Sequence, residues 1–328
     1  MRAIVCSRLG THADLEVQDV PEPPLAPGSV RIAMEAVSLN FPDLLMVQGL
    51  YQLKAEPPFV PGAEGAGIVL EVGANVADVA PGDRVMAVGL TGAFAEQWVV
   101  DAASVVPLPD SIDFSTGAAL MLTYGTSYHA LIQRATLTPD DTLLVLGAAG
   151  GVGSAAVDIA KAIGATVIAA ASTDEKVEFC RSIGADATIN YTTDSFRDRL
   201  KEITAGQGVD VVFDPVGGEL SEQALRSIAW AGRYLVIGFA SGDIPKIPLN
   251  LPLLKGASIV GVWWGTFTQR EPDVNRENTA ALFTMVEDGR LTPRITRTLP
   301  LEEHRSAFDL LASRSATGKV VMTIGADG

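Results

Sequence analysis

The stretch Thr142–Gly153, which reads TLLVLGAAGGVG, decides the fold. Its apolar residues Leu143–Leu146 are typical of a buried strand, and the residues after its glycines have helical spacing as far as Gly164. A strand, a glycine-rich turn and a helix in this order form half of a dinucleotide-binding βαβ unit. Glycine lets the backbone approach a pyrophosphate, and the start of the helix offers N–H groups and the positive end of its dipole. We therefore expect a pyrophosphate at Gly150, Gly151, Val152 and Gly153.

The segments that follow this turn favour the same fold. The turn alone is weak evidence, because Ala148 replaces the first glycine of the pattern G-x-G-x-x-G and a strand-to-helix turn without a ligand can carry the same glycines. Apolar runs recur along the chain at 165–171, 187–191, 209–213, 234–239 and 258–262, and helical patterns separate most of them. This alternation predicts a doubly wound parallel sheet of the α/β class.

The composition bounds the class of protein. The 328 residues are enough for two domains, and the net charge of −15 argues against nucleic acid and anionic membranes as partners. No apolar run has the length of a membrane-spanning helix, and the N-terminus enters a strand without the long apolar region of a signal peptide. The two cysteines are too few for a disulfide framework. We therefore expect a cytoplasmic protein that acts on a small molecule.

The rest of the chain divides into regions of different character. Residues 1 to about 115 carry short alternating strands between turns such as Pro27-Gly28 and Pro81-Gly82, which is typical of a β-rich, barrel-like domain. After about Gly265, two helix patterns precede an apolar strand, Gly318–Ile324, which is far enough from the α/β region to return to the first domain. We predict a β-rich domain at 1–118 and 266–328 and a dinucleotide-binding domain at 119–265.

Several motifs together resemble the medium-chain dehydrogenase/reductase superfamily. They are PGAEGAG at 61–67, PGDRV at 81–85, GAFAE at 92–96, AAGGVG at 148–153 and TGKVV at 317–321. Within this superfamily the chain resembles the zinc-free NADPH:quinone oxidoreductase branch. The resemblance implies a GroES-like catalytic barrel combined with a Rossmann domain. It also implies a homodimer formed by edge strands, for which Ser258–Val262 is the candidate.

The residues that hold a catalytic zinc in related enzymes are replaced here. In the zinc-dependent branch, the segments that match 38–43 and 62–64 carry a cysteine and a histidine, where this chain has Asn40 and Ala63. A catalytic zinc needs about three protein ligands, and Asp43 and Glu64 supply only two carboxylates. We therefore predict no metal at the site. Without zinc to stabilise an alkoxide, the easier reaction is hydride addition to a quinone or an α,β-unsaturated carbonyl.

Three residues are candidates for the chemistry. Asn40 is expected to hydrogen-bond the cofactor or the substrate, although a helix-cap residue before Pro42 fits the sequence equally well. Tyr51 resembles the tyrosine that related enoyl thioester reductases use as a proton donor, and packing is its alternative role. Asp43, one turn after Asn40, is expected to orient the site or to cap a helix.

Four further residues are candidates for contact with the cofactor. Thr123 and Lys319 lie in segments that resemble segments of the family, and the resemblance implies that both contact the cofactor. Phe239 and Ser241 follow an apolar run at the edge where a doubly wound sheet binds its ligands.

The second predicted strand of the α/β region favours NADPH over NADH. An NAD-specific site usually has an acid at the end of this strand, but the strand ends here in alanines and Ser172. Ser172 and Lys176 are suited to bind a 2′-phosphate, and Tyr191 resembles a tyrosine that related enzymes place there. Asp174 and Glu175 leave NADH open, because either could repel the phosphate or hold a ribose, although both also suit the first turn of a helix.

These observations favour an NADPH-dependent reductase of quinones or activated alkenes that uses no metal. A 2-enoyl thioester reductase is an alternative, but lysine and arginine are sparse in the N-terminal domain, where the carrier phosphates would need them. A nucleotide-binding protein with little catalysis is a second alternative, and the presence of both Asn40 and Tyr51 argues against it.

Overall fold

The computed structural model describes residues 1–324. Its strands are β1 (Arg2–Val5), β2 (Glu16–Asp19), β3 (Ser29–Leu39), β4 (Glu64–Val72), β5 (Arg84–Val88), β6 (Gln97–Asp101), β7 (Val105–Pro107), β8 (Thr142–Leu146), β9 (Thr166–Ala171), β10 (Ala187–Asn190), β11 (Val209–Asp214), β12 (Ile228–Val236), β13 (Ser258–Gly261), β14 (Ile295–Pro300) and β15 (Lys319–Thr323). Its α-helices are α1 (Phe41–Val47), α2 (Phe114–Ala118), α3 (Met121–Tyr128), α4 (Gly151–Ile163), α5 (Asp174–Ser182), α6 (Phe196–Ile203), α7 (Glu219–Arg226), α8 (Asn250–Lys255), α9 (Trp264–Arg270), α10 (Pro272–Glu287) and α11 (His304–Ala312). A π-helical turn, His129–Arg134, continues α3.

Residues Thr123–Arg294 form one compact unit around a parallel sheet. The strands follow the order β10-β9-β8-β11-β12-β13, and neighbouring strands are parallel throughout. This is the 3-2-1-4-5-6 order of the Rossmann fold, so the predicted doubly wound sheet is confirmed. The order reverses between β8 and β11, which is where such sheets bind their ligands.

Residues 1–122 and 295–324 form the other unit. Its main sheet follows the order β14-β15-β3-β4-β5-β7, and β6 also pairs with β3. Strand β15 pairs antiparallel with β3, so the last strand returns to the first part of the chain as the sequence predicts. Phe94 and Phe308 are fully buried in the core of this unit and meet edge to face, with ring centroids 6.1 Å apart.

The second unit extends farther along the chain than the sequence pattern indicates. Residues 266–294, which the pattern assigns to the β-rich domain, belong to it. Two contacts explain this: the rings of Phe267 in α9 and His129 stack with centroids 3.8 Å apart, and the carboxylate of Asp158 in α4 accepts the N–H of Thr292 at 2.8 Å. The sheet ends with β13, but α9 and α10 still belong to this unit. The first boundary falls at Leu122, close to the predicted 118.

Strand β12 differs most from its apolar pattern. The pattern predicts a strand at 234–239, whereas β12 runs from Ile228 to Val236. The strand ends there because the N–H groups of Ile237 and Gly238 both donate to the carbonyl of Asp214, at 2.9 and 3.3 Å. The following residues therefore lie in a loop. No helix within residues 1–324 combines the length and the apolar character that crossing a membrane requires.

Candidate active site

The glycine-rich turn between β8 and α4 has a shape that requires glycine at two positions. Gly147 has a φ of +57°, in the left-handed region. A Cβ at Gly153 would lie 2.4 Å from the carbonyl oxygen of Gly147, so only glycine allows the helix to approach the turn this closely. Gly150 precedes α4, and because it has no side chain it leaves room in front of the N–H groups of the first turn. The turn therefore has the form of a pyrophosphate cradle.

Two loops lie beside this turn at the same edge of the sheet. Val216, in the loop after β11, has a methyl group only 2.8 Å from where a Cβ of Gly147 would be. In the loop after β12, Phe239 lies against Gly217, and the N–H of Ser241 donates to the carbonyl of Val216 at 2.8 Å. The structure thus brings Phe239 and Ser241 to the point where the strand order reverses.

A buried carboxylate that the sequence analysis missed holds the loop after β11. Asp214 accepts the N–H groups of Val216 and Gly217 at 2.7 and 2.8 Å. Its second oxygen accepts the hydroxyl of Ser221 at 2.7 Å and that of Tyr234. Four hydrogen bonds offset the cost of burying the charge, so the loop is fixed beside the glycine-rich turn. An aspartate directly after an apolar run is the signal that could have identified it.

The predicted 2′-phosphate residues gather at the ends of β9 and β10. The Nζ of Lys176 lies 3.5 Å from the Oγ of Ser172. Tyr191 follows β10, and its N–H donates to the carbonyl of Ala171 at 3.0 Å, which places it next to Ser172. The hydroxyl of Thr192 donates to the carbonyl of Ser172 at 2.9 Å, and sequence reasoning did not single it out. The structure therefore assembles a polar corner from residues that are distant in sequence.

Thr123 lies in α3 and is buried. Within this helix the hydroxyl of Ser127 donates to the carbonyl of Val152 at 2.9 Å, so α3 is tied directly to the glycine-rich turn. The indole of Trp264 packs on Gly125, where a Cβ would lie only 2.8 Å from the ring. The C-terminal part of α3 thus lies beside the cradle, and a contact between Thr123 and the cofactor stays a prediction.

In the first unit, strand register assembles a buried polar cluster. Strand β3 pairs with β4 through Val37 and Gly65, and with β15 through Leu39 and Val320. Beyond these pairs, polar residues lie at the end of β3 and just after it, and at the first positions of β4 and β15. They form the cluster Ser38, Asn40, Asp43, Glu64 and Lys319, whose side chains are nearly or fully buried.

Lys319 is the centre of this cluster. Its Nζ donates to the Oδ1 of Asn40 at 2.6 Å, to the carbonyl of Leu39 at 3.3 Å and to the Oε2 of Glu64 at 3.4 Å. Three acceptors match the three N–H bonds of an ammonium group. Lys319 therefore fixes the ends of β3 and β4 relative to β15, and a direct contact between Lys319 and a cofactor stays a prediction.

Glu64 is, with Ser38, one of the two members of the cluster that sequence reasoning did not select as site residues. Its Oε2 accepts the hydroxyl of Ser38 at 2.8 Å and the amide of Asn40 at 3.2 Å, and its Oε1 accepts the N–H of Leu122 at 2.7 Å. It pairs with Lys319 across 3.4 Å. The PGAEGAG motif contains this glutamate, but only the register of β3 and β4 shows that it faces Asn40.

Asn40 and Asp43 begin helix α1 together. Asn40 occupies the cap position, and its N–H donates to the carboxylate of Asp43 at 2.7 Å. Asn40 therefore starts the helix while its side chain bonds the cluster, and its contact with the cofactor or the substrate stays a prediction. Burial raises the pKa of Asp43 to about 7, the charge of Lys319 opposes this, and that of Glu64 adds to it. Burial also lowers the pKa of Lys319.

Tyr51 lies after α1 and is half-buried. Its N–H donates to the carbonyl of Leu45 at 3.3 Å, which holds the segment after the helix against it. Burial raises the pKa of its hydroxyl, and the nearby charge of Asp43 raises it further. The phenol therefore stays protonated at neutral pH, which is the state that a proton donor needs.

The described residues show no assembled metal ligand set. Within residues 1–324, His, Cys, Asp and Glu side chains nowhere come together in groups of three or more that could hold a metal ion. His129 and His304 are each engaged in packing or in hydrogen bonds to the backbone and to Gln133.

A parallel sheet in this order, with a glycine cradle where the order reverses, defines a Rossmann-type dinucleotide-binding protein, here joined to a β-rich unit. Residues 26–110 match the family described as alcohol dehydrogenase GroES-like domain, and residues 151–279 match the family described as zinc-binding dehydrogenase. The chain is 40% identical to the quinone oxidoreductase-like protein 2 homolog of Nematostella vectensis, over 98% of this chain and 88% of that protein. It is 33% identical to a 2-haloacrylate reductase of Burkholderia, over 90% of this chain and 91% of that one. The crystal structure of Escherichia coli quinone oxidoreductase complexed with NADPH matches with a TM-score of 0.91 at 28% identity, over 98% of this chain and 100% of that chain.

The chain belongs to the zinc-free quinone oxidoreductase branch of the medium-chain dehydrogenase/reductase superfamily, as its motifs predict. It is an oxidoreductase of that family, with a GroES-like and a Rossmann domain.

Proposed function

We propose that the protein binds NADPH and reduces a quinone or an α,β-unsaturated carbonyl without a metal. The observation that carries the proposal is the glycine cradle at the sheet's reversal point, next to a strand end that carries Ser172 and Lys176 in place of an acid. The NADPH bound to the related Escherichia coli enzyme supports the choice of cofactor. When bound, NADPH supplies the hydride.

Each end of the cofactor has its own residues in this proposal. The N–H groups of Gly151, Val152 and Gly153 bind the pyrophosphate, with Gly150 leaving space for it. Ser172, Lys176 and Tyr191 bind the 2′-phosphate. Thr123, Phe239 and Ser241 are the candidates for the nicotinamide end, and Asn40 and Lys319 remain candidates for further contacts.

Tyr51 supplies the proton in the reduction of an enone. Hydride adds to the β carbon, and the electron pair of the C=C bond moves to form an enolate. The Tyr51 hydroxyl then donates a hydrogen bond or a proton to that enolate, since its raised pKa keeps the proton on the phenol. Asp43 orients the start of α1 and hence the segment that carries Tyr51. The relative that reduces 2-haloacrylates, which are activated alkenes, supports this class of acceptor.

The absence of a metal requirement rests on residue chemistry. In the proposed site, an amide at Asn40 and a methyl group at Ala63 stand where related enzymes have a thiolate and an imidazole. Within the buried cluster, the cation is the ammonium of Lys319, which lies between Asn40 and Glu64.

A panel of acceptors tests this function. NADPH oxidation is followed with 1,4-benzoquinone, 9,10-phenanthrenequinone and a series of 2-alkenals, after extensive dialysis against a chelator. Turnover with at least one class that survives the chelator is expected. Tight binding of NADPH without turnover on any acceptor would contradict it and favour a binding protein.

Lys176→Ala is expected to raise the KM for NADPH about tenfold, because a charge-assisted bond to the 2′-phosphate is lost. The KM for NADH is expected to change by less than about twofold, since NADH has no phosphate there. Steady-state kinetics with both cofactors at saturating quinone measure the two values. Lys201→Ala, which removes an exposed lysine of α6, is the control and should change neither. Equal increases for NADPH and NADH would remove Lys176 from the phosphate site.

The edge of the Rossmann sheet supports a homodimer. Strand β13 is one of the two edge strands of the sheet, and Ile259 in it is 43% exposed. Large apolar side chains flank this strand on the chain: Leu249, Leu253 and Trp263 are 79%, 77% and 64% exposed. An apolar patch around an edge strand is the usual form of an interface between copies of one chain. We propose that two copies pair at β13.

Ile259→Lys combined with Leu253→Glu is expected to convert the dimer to a monomer, because each copy would then bury charges at the same twofold interface. Sedimentation velocity at several protein concentrations measures the change. Leu70→Lys is the matched control, since Leu70 is 42% exposed on a strand of the other unit. A wild-type protein that sediments as a monomer, or a control that dissociates as readily, would overturn this interface.

A further inference from the structure

The acid Asp174 lies close to the proposed 2′-phosphate site. It is the first residue of α5 and follows Ser172 by two positions, so the two Cα atoms are at most about 7.6 Å apart. A carboxylate this close to a doubly charged phosphate repels it. The repulsion weakens the binding of the phosphate even where water partly screens the charges. A site that prefers NADPH therefore has to control where this carboxylate lies.

A hydrogen bond from the neighbouring strand controls it. Asn190, at the end of β10, is buried and donates from Nδ2 to the Oδ1 of Asp174 at 2.8 Å. The other half of the Asn190 amide is also fixed, because its Oδ1 accepts the N–H of Thr192 at 3.1 Å. Strand register holds the backbone in place, since Asn190 lies opposite Ala171 in the β9–β10 pair.

The other charged groups around this corner are held locally. The carboxylate of Glu175 accepts its own N–H and the hydroxyl of Thr173, which lowers its pKa and keeps it at the start of the helix. The carboxylate of Asp194 accepts the N–H of Asn190 at 3.0 Å. Lys176 approaches Ser172. Among the acids Asp174, Glu175 and Asp194, Asp174 is thus the one whose carboxylate is held by a side chain of β10.

We propose that Asn190 is a positioning residue that sets the cofactor preference by holding Asp174 away from the 2′-phosphate. The proposal rests on the proposed use of NADPH. Released from Asn190, the Asp174 carboxylate is able to turn toward Ser172, where it repels a 2′-phosphate and accepts hydrogen bonds from the free 2′-hydroxyl of NADH.

The test is a double-mutant cycle on cofactor preference. The ratio of kcat/KM for NADPH to kcat/KM for NADH is measured for the wild type, Asn190→Ala, Asp174→Asn and the double variant. Asn190→Ala is expected to lower the ratio at least about fivefold. The double variant is expected to regain the wild-type ratio or exceed it, because the carboxylate is gone. The fall of this ratio in Asn190→Ala should also become smaller at high salt, because salt screens the repulsion between the Asp174 carboxylate and the 2′-phosphate. The screening length is about 10 Å at 0.1 M and shorter at higher salt.

The double variant separates this role from a structural one. The single variant Asn190→Ala and the double variant lack the same amide. Any effect of that loss on the backbone and on the neighbouring Tyr191 is therefore the same in both. If the ratio fell in both to the same degree, or if kcat/KM fell equally for the two cofactors, the inference would be overturned. Calorimetric binding of adenosine 2′,5′-bisphosphate against 5′-AMP gives the same comparison without turnover. A wild type that binds both nucleotides equally would contradict the use of NADPH itself, which is a distinguishable result.

Discussion

Replacing Lys319 by methionine is expected to lower the free energy of unfolding by about 3–5 kcal/mol. Methionine keeps most of the volume, but the ammonium that pairs with Glu64 at 3.4 Å is removed and the oxygens of Asn40 and Leu39 lose their donor. Both partners of the ion pair are almost completely buried, so water does not replace the missing charge. Equilibrium unfolding in urea measures the change.

The loss in Lys319→Met is expected to grow as the pH rises above about 7, which is the pKa of Asp43 in the folded wild type. The charge of Lys319 lowers the pKa of Asp43, so its removal raises that pKa further above the value of 3.8 in an unfolded chain. A carboxyl whose pKa is higher in the folded state stabilises the fold at low pH and loses that contribution as the pH rises. The wild type therefore has the shallower slope over this range.

Two controls accompany Lys319→Met. Lys161→Met removes an ion pair with Asp186 that is 2.7 Å long but partly exposed, and it is expected to cost less than about 1 kcal/mol. The double variant of Lys319→Met with Glu64→Gln is expected to recover at least about half of the loss, because no unpaired carboxylate remains at Glu64. A single variant that costs no more than Lys161→Met would mean that the ion pair does not hold the three strands together.

The Rossmann part of the fold could be predicted from the sequence because its signals are local. The run Leu143–Leu146, the glycines and the helix ending at Gly164 are adjacent in the chain, and each element has its own pattern. Strand β14 has no such pattern: it lies at the edge of its sheet, and residues such as Arg297 and Thr298 are exposed. The end of the second unit was also beyond a local pattern, since it depends on contacts such as that between Asp158 and Thr292.

The sequence predicted single residues of the candidate site but not how they meet. Asn40 and Asp43 were selected as chemical groups one turn apart and Lys319 through the TGKVV motif, and nothing in the sequence joined Lys319 to the other two. Their meeting with Glu64 depends on the register of three strands, which a one-residue shift would change completely. The bond from Asn190 to Asp174 is of the same kind, because it links the ends of two strands whose pairing no motif reports.

Tyr51→Phe is expected to lower kcat for enones about 100-fold, the usual contribution of a positioned general acid. With quinones the loss is expected to be less than about threefold, because solvent can protonate the product oxygens. The substitution removes one hydroxyl and keeps the ring that packs after α1. In the wild type, kcat with enones should not fall between neutral pH and about pH 10, since burial and Asp43 both raise the pKa of Tyr51 above its ordinary value.

The comparison between the two acceptor classes makes this result specific to proton donation. A change in packing at Tyr51 would disturb the binding of both classes and raise KM for each. Loss of a proton donor lowers kcat for the class whose enolate intermediate must receive a proton on carbon, and it leaves the KM for that class nearly unchanged. Tyr128→Phe, at a half-buried tyrosine whose pKa burial also raises, is the matched control and should leave both rates unchanged. Equal losses on enones and quinones would assign Tyr51 to the shape of the site and leave the enolate to be protonated by water.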